Sequence, residues 1–315
     1  MQAIVNRISF RNRSAARRRI AGLTLIEMVM TLAIAGILAI FVVTFIGRSV
    51  QGYVDLGRRA ELTDAAESAL RRVGRDLRVA LPNSVRINAN TGGTTSFAVE
   101  MIPVLDGAKY SNKGTAVQKL ATDAPGGDDT FTLVGCLRNS AVRNNVSGPR
   151  MVVNNGGSAT DDVYSNASLG TGASSVITAA AITVSVTPAT CAAGTNDVVN
   201  FHVAGTLSNH RFRGNSPALR IYVVTTPVSY LCDATTGTLK RYAGYTIPST
   251  QPTDPSIAPL ASVTSTLVVN NVGACEVKTT TSDVSSRRLV TLALTLSEED
   301  EQVRLIYQVP LDNSR

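Results

Sequence analysis

Glu27 is the only charged residue between Leu23 and Gly47. An acid at the centre of a membrane span costs about 2.5–3.5 kcal/mol on insertion scales, and such a group defaults to a functional role. Near the end of a span, snorkelling reduces the cost, so an acid tolerated at the interface is the plainer alternative. What sets Glu27 apart is its surroundings: Arg17–Arg19, then Gly22, Thr24, and the acid five positions after the glycine. The cysteines Cys136, Cys191, Cys232 and Cys275 form a second reactive set. No C-x-x-C occurs, which removes support for zinc ribbons and thioredoxin-like redox chemistry. An even count in a domain that follows a membrane segment suggests two disulfides and an oxidising compartment. Four cysteines allow three pairings, and the spacing does not choose among them.

Other chemistry is sparse. There are two histidines. His202 lies in V-N-F-H-V, an apolar alternation, and reads as packing or surface. His210 lies in S-N-H-R-F-R and reads as a loop. No H-E-x-x-H, G-x-S-x-G or phosphate-binding loop is present. G-G-D-D-T (126–130) and T-D-D (160–162) offer carboxylates without the spaced ligands of a calcium loop, so they read as solvated turns. No catalytic residue, metal site or cofactor is expected, and the chain is not read as an enzyme.

The elements that would position Glu27 and the cysteines follow from composition. The formal charge of +7 suggests a nucleic-acid partner, but residues 1–22 hold six arginines and no acid. Setting those six aside leaves +7 less 6, or +1, so no nucleic-acid partner is expected. The 25 residues from Leu23 to Gly47 are long enough to cross the roughly 20-residue hydrocarbon layer as a helix. The dense arginines before the run put residues 1–22 in the cytoplasm and everything after Arg48 outside the cytoplasm. A secretory signal would have an apolar core of about 7–15 residues ending at a small-residue cleavage site. Here the run is longer, and the small Gly22 precedes it. Cleavage there leaves the helix on the mature protein.

The helix is expected to continue past the membrane, over about Leu23–Val79. Leu62, Ala66, Ala69, Leu70, Val73, Leu77 and Leu81 recur at spacings of three and four. Charged residues fill the other face, with Glu67–Arg71 and Arg72–Asp76 placed to pair at i,i+4. Acids interleaved with the arginines make this a solvated or subunit-facing surface. Gly36, Gly47, Gly52 and Gly57 read as its soft spots, and Pro82 with Asn83 ends it. Beyond Pro82 the texture turns to Ser, Thr, Asn and Gly around short β-branched runs. Strands are expected at 97–104, 130–135, 176–186, 198–203, 218–225, 228–232, 238–242, 264–269, 274–279, 288–296 and 302–309, with a hairpin around Ala234–Gly237. The stretches 106–128 and 139–172 read as long surface loops. The fold class is α+β: a long N-terminal helix, transmembrane then amphipathic, on a C-terminal antiparallel β-domain. Four regions follow, namely a leader (1–22), a transmembrane half-helix (23–47), an amphipathic half-helix (48–81) and a β-rich domain (82–315).

G-L-T-L-I-E (22–27), with the arginines before it and the apolar run after it, resembles the type III signal of type IV pilins and type II secretion pseudopilins. The resemblance implies a pilin-like fold, cleavage by prepilin peptidase between Gly22 and Leu23, and N-methylation of Leu23. Many members have Phe where Leu23 stands. It also implies a role for Glu27: pairing with the buried Leu23 amine of a neighbouring subunit during assembly. V-S-Y-L-C-D-A-T-T-G-T-L-K-R-Y-A-G-Y-T-I (228–247), L-V-V-N-N-V-G-A-C-E-V (267–277) and L-I-Y-Q-V-P-L-D-N (305–313) resemble the O-type minor pilins of the mannose-sensitive haemagglutinin pilus. J-type pseudopilins of type II secretion share the plan. This second resemblance covers roughly the last 90 residues and the N-terminal helix, and residues 85–215 match no named family. It implies pairs Cys232–Cys275 and Cys136–Cys191. Its implied partners are prepilin peptidase, other major and minor pilins and the inner membrane. The expected function is assembly or priming of such a pilus, with a J-type pseudopilin as the alternative and a membrane-anchored periplasmic enzyme or binding protein as the remaining one.

Overall fold

The computed structural model describes residues 22, 24–89, 96–114, 119, 120, 122, 127–143, 148–192, 194–281 and 288–311 of the 315. The leader arginines, Leu23 and Gly126 lie outside the described residues. One helix of 54 residues runs from Leu25 to Arg78. No proline interrupts that stretch, and Pro82 follows its end, where it cannot continue a helix. The chain divides into two compact units, residues 1–56 and 57–315.

In the first unit the described residues are helical from Leu25 onward, and none is buried. Its most apolar window has a mean hydropathy of 2.7, enough to cross a membrane by length and composition. Leu25, Phe41 and Phe45 are each at least two-thirds exposed, at 85%, 67% and 75%. A stripe of that size on a soluble monomer would be anomalous, and it marks a surface meant for lipid or for other helices.

The second unit is built on the rest of the helix. Leu62, Ala66, Ala69, Leu70, Val73 and Leu77 are buried, as their spacing requires. They share one apolar cluster with two antiparallel sheets. The first sheet has five strands in the order Arg86–Ala89, Ser96–Met101, Val228–Asp233, Thr238–Ala243, Ser265–Val269. The second has three, Val272–Thr281, Arg288–Glu298 and Glu301–Leu311, in chain order. Val99, Tyr230 and Leu239 from the first sheet meet Val277, Leu292 and Val309 from the second in this core. Strands 228–233 and 238–243 form the expected hairpin, with Asp233 opposite Thr238.

Strands 96–101 and 228–233 are neighbours, with Val99 opposite Tyr230. Everything between them is therefore an insertion. It holds its own seven-stranded sheet, ordered Arg150–Val153, Arg220–Val224, Val104–Tyr110, Thr130–Val134, Val198–Val203, Thr183–Thr187, with Thr206–Leu207 paired beside Val198–Val203. A separate cluster that includes Phe131, Phe201, Phe212 and Ile221 packs this part.

Several expectations need correction. The expected strand 97–104 is two strands, Ser96–Met101 and Val104–Tyr110, in different sheets. Pro103 between them has no N–H to donate to a ladder. Of 176–186 only Thr183–Thr187 is a strand. Val176 and Ile177 are buried in a third cluster, and a turn from Ile182 N–H to Ala179 O separates the two pieces. The stretches 106–128 and 139–172 are not simply loops. They contain most of Val104–Tyr110, the strand Arg150–Val153, and a short helix, Val163–Asn166, capped by the Asp162 side chain. Four residues of strand carry too little periodicity to declare themselves.

Candidate processing and assembly segment

Thr24 opens the long helix. Its Oγ1 accepts a hydrogen bond from the Glu27 N–H at 3.3 Å, and the Met28 N–H donates to Thr24 O at 3.1 Å. Thr24 is thus an N-cap residue satisfying one of the helix's unpaired N–H groups. An acid in the first turn also suits the positive end of the helix dipole. Glu27 therefore has a local reason to be near a helix start. Its carboxylate is nonetheless exposed, and among the described residues none bonds to it.

Gly22 gives a similar answer. A β-carbon there would meet nothing within 4 Å, so the described chain sets no steric requirement for glycine at that position. A demand for glycine at 22 must come from whatever reads the segment. The peptide bond to Leu23 reaches outside the described residues.

The hydroxyls of the apolar half are satisfied within the helix. Thr31 donates to Met28 O at 2.9 Å, Thr44 to Ile40 O at 2.8 Å, and Ser49 to Phe45 O at 3.1 Å. In hydrocarbon each unpaired polar group costs several kcal/mol, so this internal bonding suits a span.

The remaining sequence candidates lie in the β-domain, apart from one another. Cys136 is joined to Cys191, with Cα atoms 5.7 Å apart, and Cys232 to Cys275 at 6.5 Å. The first bridge is at the surface of the insertion, and the second is buried between the five- and three-stranded sheets. His202 is half-buried on strand Val198–Val203. His210 is not in a solvated loop. It is 1% exposed, bridged by backbone to Asp128, and set between the rings of Phe201 (5.7 Å) and Phe212 (4.5 Å). Neither ring nitrogen has a hydrogen-bond partner. Burial, helped by the Arg150 charge, lowers its pKa to about 4. Such a histidine packs as a neutral ring. Among the described residues no three His, Cys, Asp or Glu side chains are grouped to hold a metal.

Buried charge escaped sequence reasoning altogether. Arg143 and Asp197 pair at 2.8 Å beneath the insertion's surface. Arg86 pairs with the fully buried Glu100 and stacks on Tyr164, 3.4 Å from the ring centroid. Desolvation raises the Glu100 pKa, against the pull of Arg86. Asp76 does not pair with Arg72. It accepts from the Tyr230 hydroxyl at 2.7 Å and from Arg241 Nε at 2.9 Å. Tertiary partners outcompete a helix-surface pair worth only a few tenths of a kcal/mol. The Glu67–Arg71 pair does form.

A family model, the prokaryotic N-terminal methylation motif, matches residues 17–43. The match takes in Arg17–Arg19, Gly22, Glu27 and most of the apolar run, a small part of the 315 residues. It supports a type IV pilin or pseudopilin assignment and processing by prepilin peptidase. No curated protein and no solved structure matches the chain.

Proposed function

We propose that this chain is a minor pilin of a type IV pilus of the mannose-sensitive haemagglutinin type, acting in pilus assembly or priming. It is made as a single-pass inner-membrane protein with a cytoplasmic N-terminus and a periplasmic β-domain. Prepilin peptidase cuts between Gly22 and Leu23, Leu23 is methylated, and the subunit joins a fibre with major and minor pilins. No reaction is assigned to it, since pilin-like subunits are typically structural. The observation that carries the reading is Glu27: an exposed acid in the first turn of an exposed apolar helix, inside the methylation motif. In a bundle of such helices the α-amine at Leu23 is a buried cation, and a neighbour's Glu27 neutralises it. Removing one partner of a buried pair costs about 3–5 kcal/mol, because the other is left uncompensated.

Glu27→Ala, Glu27→Gln and Glu27→Asp test this. Each variant should be cleaved normally. Alanine should be lost from sheared fibres, glutamine should be as defective or intermediate, and aspartate the mildest. Wild-type incorporation of the alanine variant would sink the pairing. Deleting the chain and scoring surface pili against exported protein separates the minor pilin from a J-type pseudopilin: loss of export with pili intact would favour the latter.

A further inference from the structure

Strand Glu301–Leu311 is the outermost strand of the three-stranded sheet, and among the described residues it pairs on one side only, with Arg288–Glu298. It is 11 residues long, and its side chains alternate half-buried and exposed from Glu301 to Gln308. An edge of this kind is a template for backbone pairing with another chain unless charges, proline or a covering element block it. Pro310 blocks only the far end. At the middle stands Ile306, 62% exposed.

Beside this edge lies an open trough of about 630 Å³. The strand supplies Ile306 and Tyr307 to one wall, and the helix supplies Leu70, Arg71, Arg75 and Arg78 to the other. Arg71 is engaged by Glu67, the one carboxylate lining the trough. Arg78 donates to the Tyr307 hydroxyl at 2.9 Å. Arg75 is exposed and makes no hydrogen bond or ion pair among the described residues. Three guanidinium groups thus share the trough with one carboxylate.

We propose that this trough is a docking site for an extended, acid-bearing segment of another polypeptide. The segment adds a fourth strand beside Glu301–Leu311. Three features set its chemistry. A backbone row unpaired among the described residues accepts an extended chain, since strand addition draws its affinity from main-chain hydrogen bonds and its specificity from alternate side chains. Ile306, exposed on the face away from the helix, takes an apolar side chain. Arg75, with Arg71 and Arg78 on either side, takes a carboxylate on the face toward the helix. This site lies wholly within residues 57–315 and stands whether or not Gly22 is a cleavage site.

The test uses the full-length protein in detergent and a fluorescent peptide alternating valine and glutamate. Saturable binding is expected. A lysine-for-glutamate peptide should bind at least about tenfold more weakly, the scale of one lost charge-assisted hydrogen bond. Methylating alternate backbone amides of the glutamate peptide should cause a similar loss, because those amides pair with the edge. Arg75→Gln and Ile306→Thr, both at exposed positions, should each weaken binding several-fold without altering the circular dichroism spectrum. Equal binding of the N-methylated peptide would overturn strand addition. Equal binding of the lysine peptide would overturn the role of the arginines. Self-association of the peptide-free protein that Ile306→Thr abolishes would identify a second copy as the occupant, and would overturn the acidic segment.

Discussion

Gly74 lies under the aromatic ring of Tyr307. A β-carbon at Gly74 would overlap Tyr307 Cε1, with further ring atoms at 3.3 Å. The helix and the last strand approach this closely because the helix has no side chain there. The Tyr307 ring then reaches Arg78, whose guanidinium carbon is 5.9 Å from the ring centroid. Glycine inside a helix normally costs about 1 kcal/mol relative to alanine, so packing has to offset it.

Gly74→Ala should therefore destabilise the protein by about 1 kcal/mol, overpacking outweighing the gain in helix propensity. In a Tyr307→Ala background the sign should reverse, with alanine at 74 stabilising by up to about 1 kcal/mol. Denaturant unfolding of the four proteins in the cycle measures it. Additive effects would mean that the contact carries no energy.

His210 predicts acid sensitivity. Its folded pKa, lowered from 6.5 to about 4, is below the unfolded value, so the unfolded chain takes up the proton first. The stability it contributes is complete above about pH 6.5 and declines as pH falls toward 4, by on the order of 3 kcal/mol. His210→Phe should flatten that slope, while His202→Gln should leave it. Unfolding midpoints between pH 4 and 8 decide the matter, and an unchanged slope in His210→Phe would refute it.

The two bridges should differ in accessibility. Cys191 is exposed and Cys136 half-buried, whereas Cys232 and Cys275 are each 2% exposed. Mild reductant with alkylation should label Cys136 and Cys191 first. Loss of Cys232–Cys275, which ties the two core sheets, should cost about 2–5 kcal/mol. Mapping of unreduced peptides checks the pairing, and a Cys136–Cys232 peptide would contradict it.

What was legible in the sequence had a local cause. The helix was, because Leu62 to Leu77 keep one stripe and no proline intervenes. The last strand was, because Q-V-R-L-I-Y-Q-V alternates. The N-terminal segment was legible as a motif, and residues 17–43 match the methylation family. What stayed hidden depended on distant partners. Strand 96–101 pairs with 228–233, and no periodicity in either names the other, so the insertion between them could not be seen. Asp76 looked like a partner for Arg72 because sequence offers only i,i+4 neighbours, while Tyr230 and Arg241 lie far along the chain. His210 sits among polar letters, and only the fold closes Phe201 and Phe212 over it. Gly74 was not among the glycines singled out in the helix, and only the placement of Tyr307 gives it a role.

The central claim is that Gly22 and Leu23 form a cleavage site whose product keeps its helix. Intact mass and N-terminal peptide mapping of membrane-extracted protein test it most directly. The account predicts a chain shortened by residues 1–22 that begins with N-methyl-leucine, and a full-length precursor when Gly22 is changed to alanine. An unprocessed wild-type chain, or a mature chain beginning downstream of the apolar run, would contradict it.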